Sequence, residues 1–254
     1  MQPPYADRCD ASAGWLAMTH YLDRLRCAGP HFDLATGERD DTGDFLSLAE
    51  VYRGRDGALK RYACHVAEVI GTEEPRVAAS TLHLGTVARL ASLALGSAAL
   101  GGAVPDLRPE ALRWRAPGGV VQLWLPELRE LPAERGLSEN VRQVFAAHLT
   151  QLDAAVHRLW KLSPQVMRGN AGSAVAGAVR VLGREYPEAG RRAARLAATL
   201  LPREPLAGAG EFALNDETLA FARNNCCLYY RVRGAGTCGD CVLRERRSTR
   251  EPAA

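Results

Sequence analysis

The sequence is poor in aromatic residues and contains almost no lysine. Aromatic residues make up 6% of its 254 positions, and Lys60 and Lys161 are the only lysines among 32 basic residues. Because 47% of the residues are hydrophobic, the composition is that of a globular protein and excludes disorder, collagen or a coiled coil as the main architecture. The core must therefore consist mostly of Leu, Val and Ala.

The sequence also lacks a long uninterrupted apolar run of about 18 residues, which a membrane-spanning helix requires. Its most apolar part, 75–100, contains Arg76 and Arg89 and is predicted to form a buried helix or helix pair. The first ten residues show no charged region followed by an apolar one, so no signal peptide is predicted. We expect a cytoplasmic protein without a transmembrane segment, with peripheral attachment to the inner face of the membrane as a variant of that location.

Charge is distributed unevenly along the chain. The net charge is +3, but residues 221–254 carry +4 and residues 1–220 carry −1. The seven basic residues of the C-terminal part are Arg223, Arg231, Arg233, Arg244, Arg246, Arg247 and Arg250. The pI of about 8.5 lies below the range typical of nucleic-acid-binding domains, so nucleic acid is not an expected partner.

Hydrophobic periodicity predicts an α+β fold that is dominated by helices and has a small antiparallel sheet. The sheet is expected from a hairpin at 112–124 with a Pro-Gly-Gly turn. Helices are predicted at 12–25, 58–70, 138–160, 173–184 and 187–201, with Ser138 as an N-cap. We expect a body formed by 1–210 and a C-terminal cysteine-rich segment, 211–254, packed on it as one compact unit.

Four of the seven cysteines lie within 16 positions, in the pattern C-C-x10-C-x2-C: Cys226, Cys227, Cys238 and Cys241. A C-x-x-C turn places two thiolates on one side of a tight loop, where they can bind one metal centre. In a reducing compartment the candidates are zinc and an iron–sulfur cluster. Adjacent cysteines diverge in extended backbone, which favours the wider two-iron cluster; zinc, disulfides and plain buried thiols remain alternatives. Cys9, Cys27 and Cys64 are expected to be buried thiols.

The string CCLYYRVRGAGTCGDC closely resembles the C-terminal signature of FhuF-type ferric-siderophore reductases. Weaker similarity to that family extends over 77–107 and 162–176. The resemblance implies a 2Fe–2S cluster bound by Cys226, Cys227, Cys238 and Cys241, with no catalytic side chain beyond the cluster. This chain has Val242 where the family often has proline, and Arg168 where members often have tryptophan.

The resemblance further implies one-electron reduction of Fe(III) in a siderophore, of the hydroxamate type, with release of Fe(II) in the cytoplasm. The electron donor would be a ferredoxin or a flavin-containing reductase, since no nicotinamide or flavin site is recognisable. The residues predicted to contact the chelate are Arg89, Arg168, Asn170, Arg231 and Arg233. The alternatives are an iron–sulfur redox or iron sensor, and a zinc-stabilised siderophore-binding accessory protein without turnover.

Overall fold

A long apolar helix runs through the centre of the protein, and the other helices surround it. The computed structural model describes residues 21–215 and 218–243. The helices there are α1 (Tyr21–Arg26), α2 (Leu48–Arg53), α3 (Ala58–Ile70), α4 (Pro75–Gly101), α5 (Leu137–Trp160), α6 (Pro164–Glu185) and α7 (Pro187–Leu200). The strands are β1 (Ala35–Thr36), β2 (Leu46–Ser47), β3 (Arg113–Arg115), β4 (Gln122–Leu125), β5 (Gly210–Asn215) and β6 (Thr218–Arg223). The helix-dominated α+β prediction is confirmed.

The central helix is α4, which begins at Pro75 and ends before the left-handed Gly102. Proline suits the first helical turn, because the N–H that it lacks would have no helical partner there. The helix packs against α6, α5, α3, α7 and α1, which accounts for its apolar surface on nearly all sides. Within the described residues it is the one helix long and apolar enough to cross a membrane, but 61% of its most apolar stretch is buried in the protein.

Helix α6 begins earlier than the sequence prediction of residue 173. The side chain of Ser163 caps it by accepting a hydrogen bond from the Gln165 N–H, and Pro164 occupies its first position. The prediction was wrong because Gly169 and Gly172 resemble helix-breaking residues. Both instead lie inside the helix, where the absence of a side chain lets another element approach closely.

The four-stranded sheet has the order β1-β4-β3-β2, in which β1 and β4 are parallel and the other pairs antiparallel. The β3–β4 pair confirms the hairpin predicted at 112–124. The second, two-stranded sheet is the β5–β6 hairpin, which pairs Gly210 with Arg223 and was not predicted. This hairpin packs against α6 and α7 and leads directly into the cysteine-rich segment.

Two smaller predictions also need correction or fall outside the described residues. Helix α5 begins at Leu137 after Gly136 without a side-chain cap, so the predicted N-cap role of Ser138 is wrong. Of the helix predicted at 12–25, the part before Tyr21 lies outside the described residues, as do Arg244, Arg246, Arg247 and Arg250.

Candidate metal centre

The cysteine-rich segment is a loop whose two ends are joined by the backbone. The Arg223 N–H, at the end of β6, donates to the carbonyl oxygen of Asp240 at 3.1 Å. This bond brings the adjacent pair Cys226 and Cys227 close to the later C-x-x-C turn. After the adjacent pair, the chain reverses at Leu228, whose φ of 70° lies in the left-handed region. The chain direction therefore changes directly after the adjacent pair.

Main-chain N–H groups donate hydrogen bonds to cysteine sulfurs in the loop. The Leu228 N–H donates to Cys226 Sγ at 3.3 Å, and the Leu243 N–H donates to Cys241 Sγ at 3.4 Å. Each bond spans two residues, so it is fixed by the local turn. Hydrogen bonds of this kind stabilise negative charge on sulfur and are among the features that set the potentials of iron–sulfur clusters.

The four thiols lie within electrostatic reach of one another. A hydrogen bond from the Cys238 thiol is the largest factor that lowers the pKa of Cys227, to about 6, and the same bond raises the pKa of Cys238. Burial chiefly raises the pKa of Cys226, with contributions from Cys227 and Cys241. Cys227 and Cys241 are buried, whereas Cys226 and Cys238 are partly exposed.

The donor set consists of soft sulfur atoms alone, as iron–sulfur clusters and zinc both prefer. Across the described ranges 21–215 and 218–243, no three Cys, His, Asp or Glu side chains converge to hold a single metal ion. A two-iron cluster needs thiolates in pairs, one pair for each iron, and not a convergent trio. The all-sulfur donor set by itself fits both a two-iron cluster and a structural zinc ion.

A buried arginine lies beside the thiols. The Arg223 side chain is 2% exposed and donates to Asn225 O at 2.5 Å, Asn170 Oδ1 at 2.7 Å and Val166 O at 3.3 Å. These acceptors are all neutral, and among the described residues no carboxylate pairs with this guanidinium. A buried charge without a counter-charge is unfavourable. Arg223 acts to lower the pKa of Cys226, Cys227 and Cys238, and of these only Cys227 has a lowered pKa overall, so a thiolate at Cys227 would supply negative charge for the guanidinium.

A chain of buried hydrogen bonds attaches this arginine and the cysteine loop to two helices. Asn170 on α6 accepts from Arg223 and donates to Ser80 O at 3.0 Å and Ser80 Oγ at 3.1 Å. Ser80 on α4 in turn donates to the carbonyl oxygen of Cys227 at 2.7 Å. Its members are up to 147 residues apart in the sequence. The network fixes the loop on the core.

Close packing at two glycines of α6 also holds β6, which leads into the cysteine loop, against that helix. A Cβ atom added at Gly172 would lie 2.6 Å from the ring of Phe221 and 2.7 Å from Ala209 Cβ. One added at Gly169 would lie 2.9 Å from Arg223 Nη2. Real Cβ atoms do not approach so closely, so these glycines form the groove on α6 that receives β6.

The structure does not bring together the five residues predicted to contact the chelate. Asn170 is fully buried with its amide bonded to protein groups, so a direct chelate contact is not supported. Arg89 donates to Gly85 O within α4, and Arg168 is exposed on α6. Arg231 forms an ion pair with Glu74 at 2.7 Å, and Arg233 is exposed on the cysteine loop.

A cavity of about 580 Å³ opens beside the cysteine loop. Its walls come from residues 28–32, one face each of α4 and α6, and the loop residues Cys238, Gly239 and Asp240. Arg180 on α6 clamps Asp240 by bonds of 2.9 and 3.3 Å to its two carboxylate oxygens. A second cavity, of about 510 Å³, lies between α3 and β3, and none of the four clustered cysteines lines it.

Sequence reasoning missed three groups at this centre: Arg223, Ser80 and the Arg180–Asp240 pair. The position of Arg223, three residues before Cys226, was the one available local signal, because a basic residue next to thiolates is favourable. The other partners are distant in sequence. The cysteines outside the cluster also differ from expectation: Cys64 is exposed and Cys27 is disulfide-bonded, so neither is a buried free thiol, and Cys9 lies outside the described residues.

These features together define a thiol-only, cluster-binding segment appended to a helical body. Residues 223–243 match the family model of the FhuF 2Fe–2S C-terminal domain. The cofactor is accordingly a 2Fe–2S cluster, and the match relates the segment to the siderophore-iron reductase family. The matched range begins at the buried Arg223 and includes all four cysteines. A search of curated proteins found no match to the chain.

Proposed function

We propose that the protein is a ferric-siderophore reductase that transfers one electron to Fe(III) in a siderophore and releases Fe(II) in the cytoplasm. The observation that supports this most is the thiol-only site with its buried counter-charge, Arg223, in the segment that matches the FhuF domain. Cys226, Cys227, Cys238 and Cys241 would hold the cluster. The remaining chain, up to residue 210, would bind the chelate.

The chemistry of iron release requires a single electron. Siderophores bind Fe(III) through hard, anionic oxygen atoms, and they bind Fe(II) far more weakly. When bound, a 2Fe–2S cluster supplies one electron at a time, which matches this reduction and leaves the chelator unchanged. The product Fe(II) then dissociates, and an external donor restores the electron.

The protein groups around the site have separate tasks in this proposal. The buried Cys227 and Cys241 and the hydrogen-bonded loop keep water from one side of the centre. Cys238 is partly exposed and lines the cavity, so electrons would leave the protein on that side. Arg223 balances negative charge and makes the added electron less costly.

The electron donor would bind at the exposed part of the cysteine loop. Tyr229 and Tyr230 are exposed there, and so is Arg233, whereas Arg231 is engaged by Glu74. A ferredoxin, which is acidic, or a flavin-containing reductase would fit an aromatic and basic surface of this kind. The hydroxamate class is proposed for the siderophore.

The test is anaerobic single-turnover reduction. Protein with its cluster is reduced with dithionite, freed of excess reductant and mixed with a ferric trihydroxamate, while the visible spectrum and Fe(II) capture by a chromogenic chelator are followed. We expect reoxidation with one Fe(II) released for each cluster. Reoxidation no faster than in buffer would favour a sensor, and colourless protein with one zinc would favour the accessory role.

Replacement of a ligand provides the matched comparison. Cys238→Ser should abolish the visible spectrum and the electron paramagnetic resonance signal of the reduced protein. Cys64→Ser is the control, because Cys64 is a free, exposed cysteine outside the site. An unchanged spectrum in Cys238→Ser would remove this residue from the proposed ligand set.

A further inference from the structure

We propose that the cavity between α4, α6 and the cysteine loop is the chamber that binds the ferric chelate. This inference rests on the proposed function. The cavity has a volume of about 580 Å³, and Cys238 forms part of its wall. A ligand inside it would therefore contact the cysteine loop on the side where sulfur is partly exposed. None of the five residues predicted from the sequence to contact the chelate lines it, so its ligand contacts are different ones.

The first argument comes from two glycines on facing helices. Gly85 of α4 and Gly177 of α6 both line the cavity. A Cβ atom added at Gly85 would meet nothing closer than Arg89 Nη1 at 3.8 Å, and one added at Gly177 nothing closer than Arg180 Nη2 at 4.0 Å. Helix interiors disfavour glycine relative to alanine, and here no close packing requires it. Their shared effect is to keep the chamber wide.

These two glycines differ from the tightly packed glycines in the same helices. Gly96, Gly169 and Gly172 stand where an added Cβ would lie within 3.0 Å of a neighbouring side chain, so packing explains them. No such neighbour exists for Gly85 or Gly177 among the described residues. The effect of glycine at these two positions is to keep the cavity open, and an open cavity beside a redox centre can hold a ligand.

The second, independent argument is an unpaired hydroxyl in the wall. Ser173 on α6 is 7% exposed and lines the cavity, and its Oγ has no hydrogen-bond partner among the described residues. A buried polar group without a partner is costly, and most buried polar groups have one, so this hydroxyl is available to bond a ligand in the chamber. A ligand in the chamber would complete this bond, with Ser173 donating to one of its oxygens.

The lining offers hydrogen-bond donors suited to an oxygen-rich ligand. Arg180, Arg184 and Arg223 contribute to the walls, and Asp240 is the one carboxylate among the lining residues. Asp240 is already clamped by Arg180, so it does not repel incoming oxygen ligands. The rest of the wall is mainly apolar, with Phe32 and Leu84 among its residues. An iron chelate presents this combination, because an apolar backbone surrounds the oxygen atoms that hold the metal.

Filling the chamber tests the proposal. Gly177→Leu and Gly85→Leu place a side chain in the open space, and Gly183→Leu is the matched control. Gly183 lies on the same helix outside the lining, and its added Cβ also meets nothing within 4 Å. Binding is measured by calorimetry with a gallium(III) trihydroxamate, which has the charge and shape of the ferric chelate but is not reduced. Reoxidation of the reduced protein by the ferric chelate is measured in parallel.

We expect both filling variants to retain the visible spectrum and melting temperature while their affinity for the gallium chelate falls at least tenfold. Gly183→Leu should bind as the wild type does. If wild-type protein neither binds gallium chelate nor is oxidised by ferric chelate, the proposed function itself fails. If wild-type protein does both and the filling variants bind equally well, the function stands and the chamber assignment is overturned.

Ser173→Ala gives a second readout that does not depend on steric blocking. Loss of a hydroxyl that is unpaired in the free protein should leave the stability unchanged or increase it. Loss of its bond to the chelate should weaken gallium-chelate binding about fivefold to tenfold, the effect of one hydrogen bond. Unchanged affinity would exclude Ser173 from the contact, and lower stability would show that the hydroxyl has a partner in the free protein.

Discussion

Replacement of Arg223 by Gln should lower the reduction potential of the bound cluster. Gln keeps hydrogen-bonding capacity but removes the positive charge, which in the structure is buried among neutral acceptors and beside the thiols. Reduction adds one negative charge at the thiolate-bound centre. A positive charge nearby therefore stabilises the reduced state more than the oxidised state, and its loss makes reduction harder.

The expected magnitude follows from Coulomb's law. The charge of Arg223 favours the thiolate form of Cys226, Cys227 and Cys238, and such effects act over distances of about 4–6 Å. At about 6 Å and an effective dielectric constant of about 20, one pair of unit charges interacts by about 3 kcal/mol. For one electron, about 1.4 kcal/mol corresponds to about 59 mV, so the potential should fall by on the order of 100 mV.

The assay is a redox titration followed by visible absorption and by electron paramagnetic resonance. Arg223→Lys keeps the charge and should retain most of the wild-type potential, although it loses the planar arrangement of donors. Arg180→Gln is the matched control. Its guanidinium also lies near the cysteine loop, but it is half exposed and already neutralised by Asp240. We expect that control to shift the potential much less than Arg223→Gln does.

The reasoning is refuted if Arg223→Gln binds the cluster and titrates at the wild-type potential. It is also refuted if Lys and Gln lower the potential equally, because the effect would then come from lost hydrogen bonds and not from charge. If the Gln variant does not retain its cluster, the potential of Arg223→Lys becomes the test. The charge argument predicts that it stays near the potentials of the wild type and of Arg180→Gln, and a large fall would refute it.

Three further predictions concern how the body holds the cysteine loop and how it responds to acid. Asn170→Ala leaves buried partners unpaired and should lower the free energy of unfolding by about 2–4 kcal/mol in urea titrations, whereas the exposed Asn224→Ala should cost little. Gly172→Ala should destabilise by about 1–3 kcal/mol through its overlap with β6, whereas Gly183→Ala should be neutral or stabilising. Burial lowers the pKa of His148 to about 4, whereas the histidine of the unfolded chain titrates near 6.5. The unfolded state therefore binds a proton first, and the free energy of unfolding should fall as the pH decreases from about 6.5 towards 4. In urea titrations at several pH values, His148→Gln should flatten that dependence.

Much of the fold was predictable because its signals are local. The period of apolar residues identified α3 and α5, and the Pro-Gly-Gly turn identified the β3–β4 hairpin. The four cysteines were recognisable because their spacing is short and specific. Each of these features depends on residues within about one element of each other, so the sequence alone carries the information.

The rest depends on contacts between distant parts of the chain. Arg223 and Asn170 are 53 residues apart, and Asn170 and Ser80 are 90 apart. No local sequence pattern identifies such partners. A polar residue in an apolar helix is also as compatible with a ligand contact as with a buried hydrogen-bond network. Asn170 was predicted to contact the chelate from the weaker family similarity over 162–176, whereas in the structure it is buried and bonds to the arginine beside the thiols.

Helix α6 shows most clearly that the roles of similar residues can be assigned only from tertiary contacts. Its glycines look alike in the sequence, yet Gly169 and Gly172 admit the β6 strand, whereas Gly177 borders open space. About 16 Å separates positions 169 and 180 along a helix. Within that length, Asn170 bonds to Arg223 and the glycines pack against β6. The same stretch lines the cavity, and its Arg180 bonds to Asp240. One rigid element thus positions both the cluster segment and the chamber beside it, so their separation does not depend on a mobile loop.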